Sequence, residues 1–177
     1  TPALADDPPE LFRRTGERII AAPVRRILDV LTDFDNYTGC VPLVSASHVV
    51  RRYGPRSADV YTLLDMPWPV PNRWVIFHVT TAETRNRVRV SLRKLSGDVN
   101  SGQIDWSQEP LSGGRTRVRI RLLLDPNLPV PDSWLKGVLD SAPIDMLQSI
   151  ADRSTQTRSA QLHAATAGAS APTASTP

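Results

Sequence analysis

The sequence predicts an α+β fold: a curved antiparallel β-sheet with a long C-terminal helix laid across it. Three observations predict it. Segments that alternate apolar and polar residues follow one another through the middle of the chain, and such alternation marks strands with one buried and one wet face. The stretches between them are too short for the crossover helices of a parallel sheet. Apolar residues at helical spacing then run from Leu135 to Ile150.

Gly16 to Ala22 reads as a short strand. Pro23 suits a first helical turn, and Val24, Ile27, Leu28 and Leu31 continue at helical spacing opposite Arg25, Arg26 and Asp29. This predicts about three turns ending near Asp33 to Tyr37, closed by Gly39 and Pro42. Strands are predicted at Ser45–Tyr53, Ser57–Met66, Arg73–Thr81, Arg87–Leu95, Gly102–Gln108 and Arg115–Leu124. In two of them the alternation is clean: Val88, Val90 and Leu92 oppose Arg87, Arg89 and Arg93, and Val118, Ile120, Leu122 and Leu124 oppose Arg115, Arg117, Arg119 and Arg121. The last helix has Asp132 or Ser133 as N-cap, and Pro143 should bend or interrupt it. Residues 1–15 read as a flexible arm and 16–157 as the domain. Residues 158–177, rich in Ala, Ser, Thr and Pro, read as a disordered tail that lacks the apolar surface to offset its ordering entropy.

Composition narrows the function classes. The chain has 177 residues, 40% hydrophobic and 22% charged, which suits one folded domain. No apolar run approaches the ~18 residues of a membrane-spanning helix. Cys40 is the single cysteine, so an internal disulfide and a cysteine-rich metal site are excluded. It is read as a small buried hydrophobe. Phosphate-loop, zinc-protease and nucleophile-elbow motifs are missing, and no cofactor is expected. The net charge is +3, and Lys94 and Lys136 are the only lysines. The Ala/Asp/Pro-rich opening, Thr1 to Pro9, fits the start of a mature exported protein. A periplasmic or exported location is therefore expected, with a cytoplasmic one as the alternative; a leader peptide in the full reading frame would distinguish them.

Four stretches resemble the START/SRPBCC helix-grip (Bet v 1-like) superfamily, and the likeness covers about residues 16–155. Ala22-Pro23-Val24 followed by Val30 to Tyr37 and then Val41-Pro42 is similar to the family's first helix and the turn after it. Met66 to Arg73 resembles the Pro-Trp-Pro stretch of START-type members. Gly102 to Trp106 and Thr116 to Pro126 resemble the last two strands. Pro131 to Leu147, with Trp134-Leu135 and Ala142-Pro143, resembles the C-terminal helix. The resemblance implies an internal cavity between sheet and helix for a lipid, sterol, polyketide or quinone. One fold hosts many functions, so it does not imply one chemistry.

On that resemblance the candidate ligand-binding residues are Trp68, Trp74, Ile76, His78, Val90, Trp106, Ile120, Leu139 and Met146, with Trp134 also considered. Trp68, among prolines, reads as a corner plug or as a gate at the cavity mouth. The apolar Leu128 to Pro131 loop would join it in a rim that touches membrane. Asp59 and Asp65 share a strand face but lie roughly 20 Å apart, too far for paired-carboxylate chemistry. The arginine rows read as a solvated outer face, with attraction to anionic headgroups as the sharper reading. Nucleic acid is not expected, because no aromatic platform interleaves with these arginines. His48 and His163 are weaker candidates than His78.

The function expected is binding, with transport as an extension, of an apolar small molecule by a monomer. A polyketide cyclase or aromatase is the first alternative, and it requires an ionisable group such as His78 or an inward Asp in the cavity. A quinone-binding protein is the second, on a loose similarity over Asp35-Asn36-Tyr37 through Val41-Pro42.

Overall fold

The computed structural model of the chain describes residues 12–38, 41–125 and 132–168. Seven strands form one antiparallel sheet: β1 (Phe12–Ile20), β2 (Val44–Gly54), β3 (Ser57–Leu64), β4 (Arg73–Thr84), β5 (Arg87–Gly97), β6 (Ser101–Leu111) and β7 (Arg115–Asp125). Their order across the sheet is β1-β7-β6-β5-β4-β3-β2. β2 to β7 are thus a meander, while β1 crosses to pair with β7. Helix α1 (Val24–Leu31) and a single 3-10 turn (Phe34–Asn36) link β1 to β2. Helices α2 (Asp132–Leu139) and α3 (Ala142–Gly168) follow β7.

Sequence chemistry accounts for these elements. Val88, Val90 and Leu92 of β5 are buried on one face, as are Val118, Ile120 and Leu122 of β7, and the arginines between them point to the other face. On that outer face Arg117 and Arg119 form ion pairs with Glu17 and Glu109, and Arg93 sits 3.0 Å from Asp105. The arginine rows are therefore partly neutralised by neighbouring strands, as a solvated face requires. Register shifts at three places in β2, and at Leu95 of β5 opposite Ile76/Phe77, are the bulges that bend a sheet. Gly97 lies two residues beyond the last of these. It adopts φ 127°, and an added Cβ would lie 2.3 Å from the Trp74 carbonyl oxygen.

The inner face is covered by α1 and α3. Ile27 and Leu31 of α1 and Leu147 and Ile150 of α3 pack with Val60, Val75, Val90 and Ile120 in one core. Pro143 acts as the sequence suggests: the helical pattern breaks at Asp140-Ser141, and Pro143 falls in the first turn of α3, where a missing N–H costs nothing. The Ser141 carbonyl accepts from the N–H groups of Ile144 and Asp145 and so starts the new helix. Arg14 of β1 pairs with Asp140 and clips this break to the sheet edge.

Two boundaries differ from the sequence reading. β1 begins at Phe12, so the arm expected over 1–15 is strand in its last part. The backbone of α3 runs to Gly168, through much of the stretch expected as a tail from 158. Alanines and Gln161 there are strong helix formers, and an existing helix adds residues more easily than a new one nucleates. Residues 1–11, 126–131 (with the apolar Leu128 to Pro131 loop) and 169–177, together with Gly39 and Cys40, lie outside the described residues.

Candidate functional site

A cavity of about 120 Å3 lies between the sheet and the α2–α3 break. It occupies the end of the molecule where β2 and β6 begin and β3 and β7 finish. The sheet contributes Val44, Thr62, Leu64, Phe77, Leu92, Gly102, Ile104, Trp106, Leu122 and Leu124. The turn before β2 contributes Tyr37 and Val41 to Leu43, and the helices contribute Leu139, Ala142, Met146 and Ile150. The floor is Trp106, 3% exposed.

The wall is almost wholly hydrocarbon. Tyr37 donates its hydroxyl to the Leu31 carbonyl, so that group is turned to the protein. Gln103 spends its side-chain amide on Asp105, on the outer face, at 2.7 Å. No Asp, Glu, His, Lys or Arg side chain lines the cavity among the described residues. Leu43, at the rim, is held at φ 64°, an uncommon conformation for a leucine. Its carbonyl accepts the Asp65 N–H at 2.7 Å, which ties the rim to the Asp65–Asn72 loop.

That loop is braced and carries an exposed ring. The Asn72 amide donates to Asp65 Oδ1 at 2.6 Å, while its carbonyl oxygen accepts from the Met66 N–H at 3.2 Å. Val70 is buried, whereas Trp68 is 90% exposed. Trp68 is therefore no corner plug.

Of the nine candidate ligand residues, Trp106, Leu139 and Met146 line the cavity. Val90 and Ile120 share the inner face with its wall, but they lie deeper, where the core is packed solid and they are 0% and 2% exposed. Trp74, Ile76 and His78 are on the opposite face of β4, since Val75, Phe77 and Val79 are the residues turned inward. The side chain of Trp134 lies outside the described residues, as does that of His163. His48 stacks on Tyr61, which in turn stacks on Trp74, all on the outer face. Sequence reasoning missed Leu64, Phe77, Leu92, Ile104, Leu122 and Leu124. A usable signal existed for four of them: Ile104 shares the parity of Trp106, Leu92 shares that of Val90, and Leu122 and Leu124 share that of Ile120.

Asp59 of β3 and Asp105 of β6 are also on the outer face, whereas Asp65 lies in the loop after β3. Asp59 is 6% exposed, and its neighbours account for that. Tyr53 donates to its Oδ2 at 2.7 Å, and His78 Nδ1 lies 2.7 Å from its Oδ1. The hydrogen bond from Tyr53, with help from His78, holds the Asp59 carboxyl below the usual carboxylate range against the opposing effect of burial. Burial also pushes the Asp105 carboxyl up, but hydrogen bonds from Gln103, Ser91 and Arg93 outweigh it and leave the group low. Among the described residues no group of three His, Cys, Asp or Glu side chains could hold a metal, and no helix is long and apolar enough to cross a membrane.

A bent antiparallel sheet gripping a C-terminal helix around an oily hollow defines a helix-grip cavity protein. The chain belongs to the polyketide cyclase / dehydrase and lipid transport family, whose sequence pattern matches residues 20–151. An uncharacterized protein of Pseudomonas aeruginosa is 34% identical over a 107-residue alignment; the match covers 52% of this chain, and the chain spans about half (51%) of that relative's length. The fold is shared with a START superfamily protein of Mycobacterium smegmatis (TM-score 0.68, 17% identity, 82% of this chain and 98% of that one). It is shared with a STAR-related lipid transfer protein of Xanthomonas axonopodis (TM-score 0.72, 19% identity, 81% and 85%). An aromatase/cyclase of Streptomyces sp. R1128 also has it (TM-score 0.68, 14% identity, 83% and 95%).

Proposed function

We propose that the chain binds a slim apolar molecule, such as an acyl chain or sterol-like lipid, in this cavity and carries it between lipid surfaces. The observation that carries this reading is the wall: among the described residues it is almost wholly hydrocarbon, and the polar ends of Tyr37 and Gln103 are engaged elsewhere. Such a wall favours a guest by removing its apolar surface from water, worth about 25 cal/mol per Å2. A cyclase needs a proton donor or acceptor within reach of its substrate, and His78, the group best suited to that role from the sequence, faces away. The lipid transfer protein of Xanthomonas axonopodis, with the same fold, supports the carrier reading.

The open space of about 120 Å3 is smaller than the ~300–1,000 Å3 typical of pockets that enclose a whole ligand. A guest of lipid size therefore enters with movement of the wall. The α2–α3 break is the place for it. Leu139 and Ala142 flank the break and line the cavity, and the Arg14–Asp140 pair that holds it is half exposed, a class of contact worth only about 0–1 kcal/mol.

Trp68 stands at the same end of the molecule, and we assign it to the lipid–water interface, where an indole is favoured. The carrier reading needs one chain only, so a monomer is the proposed working form. The test is direct. Solvent extracts of the purified protein should contain an apolar molecule by mass spectrometry, and the stripped protein should bind a fluorescent fatty-acid or sterol probe saturably. No extractable molecule and no probe binding at micromolar concentration would overturn the reading. Trp68→Ala should leave stability within about 0.5 kcal/mol, as expected for an exposed side chain, yet lower the partition onto anionic vesicles roughly tenfold, equivalent to ~1.4 kcal/mol. Unchanged partition would remove Trp68 from that role.

A further inference from the structure

The outer face of β3 and β4 carries a second constellation, unrelated to the cavity. Ser57 and Asp59 are two residues apart on β3 and so project on one side of the sheet. In the β3–β4 register Asp59 lies directly opposite His78, and Ser57 lies opposite Thr80. Ser57 and His78 are thus diagonal neighbours, within reach of each other. Ser57 Oγ is 3.3 Å from His78 Nε2, and His78 Nδ1 is 2.7 Å from Asp59 Oδ1.

The constellation is buttressed. The second Asp59 oxygen accepts from Tyr53 Oη at 2.7 Å, so the carboxylate is held from two sides. The Tyr53 ring meets the His78 ring edge-on, with centroids 5.6 Å apart. Asp59 is nearly buried, whereas the His78 side chain is 39% exposed. A carboxylate against Nδ1 keeps the imidazole proton on that nitrogen. The lone pair of Nε2 then points towards the serine hydroxyl. Hydrogen bonding keeps Asp59 ionised, as its role requires.

We propose that Ser57 is a nucleophile, with His78 as its general base and Asp59 as the residue that positions His78, and that this face accepts acyl groups from activated esters. Ser57 Oγ attacks the carbonyl carbon while its proton passes to His78 Nε2. The acyl C–O bond then breaks, the alcohol or phenol departs with that proton, and the acyl group stays on Ser57. A water molecule, deprotonated by the same Nε2, cleaves the acyl-serine to a carboxylic acid and restores the hydroxyl. Because His78 is open to solvent, the electrostatic help available in a closed site is reduced. The substrate class is therefore an ester with a good leaving group, and not an amide.

The experiment uses the whole chain and p-nitrophenyl acetate. Release of p-nitrophenolate is followed, and the acetylated residue is located by peptide mass spectrometry. The expected result is acetylation at Ser57, abolished in Ser57→Ala and slowed roughly hundredfold in His78→Ala, the usual contribution of a general base. Added imidazole should restore the His78→Ala rate in part, which no merely structural defect would allow. Asp59→Asn should lower the rate at saturating ester with KM unchanged, and its melting temperature, measured in parallel, shows whether the fold is intact. Acetyl groups only on Lys94, Lys136 or the amino terminus would overturn the proposal. So would a Ser57 rate in the wild type equal to that in His78→Ala. Neither result bears on the cavity, whose ligand is tested separately.

Discussion

Leu147→Ala is expected to lower the free energy of unfolding by about 2–5 kcal/mol, the usual range for emptying a buried leucine site. Leu147 is 2% exposed and lies in the seam between α3 and β1. Its partner across the seam is a bare backbone: a Cβ added to Gly16 would sit 2.9 Å from Leu147 Cδ1, and 3.3 Å from both Pro143 Cβ and Ile120 Cγ2. The helix therefore reaches the sheet because position 16 has no side chain. The converse change, Gly16→Ala, overfills the same space and should cost about 1–3 kcal/mol. The two changes are opposite in volume and share one site, so they should not add. The double variant should be more stable than the sum of the singles implies by at least about 0.5 kcal/mol. Urea unfolding with an unchanged slope measures all three. Strict additivity would mean that the seam is not the contact described. A domain with ordinary stability, about 5–15 kcal/mol, would lose a large part of it in Leu147→Ala alone.

The seam also shows which features a linear sequence exposes. Leu147 belongs to a helical stripe that periodicity reveals, and Ile120 to a strand whose alternation with arginines leaves one choice of inner face. Gly16 shows nothing in the sequence, because its importance lies in what approaches it from a distant helix. The same division runs through the cavity. β5 and β7 alternate apolar residues with arginine, so their faces were legible. In β4 both parities are apolar or aromatic: Val75, Phe77 and Val79 on one side, Trp74, Ile76 and His78 on the other. Alternation cannot choose between them. The choice is made by neighbours, since Phe77 opposes Val60 in the core while Trp74 finds a stacking partner in Tyr61 outside. Val90 and Ile120 show a further limit. Parity identifies the inner face but not the depth along a strand at which packing gives way to open space.

The outer constellation was hidden for a related reason. Ser57, Asp59 and His78 are unremarkable one at a time, and the family resemblance points His78 into the cavity. Their meeting depends on the register of one hairpin, whose pairs are arranged symmetrically about the Trp68–Pro69 bond. Centring the turn on that bond would have placed Asp59 opposite His78 from the sequence alone. The proline-rich loop gives no such centre, because several of its positions suit a turn equally well. The Val41–Leu43 rim was illegible for the same lack of periodicity.

Filling the cavity should separate binding from folding. Ala142 opens α3, lines the cavity beside Leu139 and Met146, and is only partly buried. In Ala142→Phe the ring would take up much of an open space of about 120 Å3. Added apolar burial is favourable by about 25 cal/mol per Å2, whereas strain from overfilling costs about 1–3 kcal/mol. The space is empty and the first helical turn can yield, so stability should change by less than about 1 kcal/mol. A guest must now displace the ring or give up its volume, and its affinity should fall at least tenfold, or about 1.4 kcal/mol. Met146→Ala is the opposite change. It removes a flexible side chain from the wall, should cost about 1–2 kcal/mol because Met146 is only half buried, and should shift preference towards longer or bulkier probes. Reduced affinity in the first variant with a shifted chain-length preference in the second would place the guest between sheet and helix. Equal affinity of wild type and Ala142→Phe for every probe would place it elsewhere, because a guest held in this hollow cannot escape the cost of moving the ring or yielding it space.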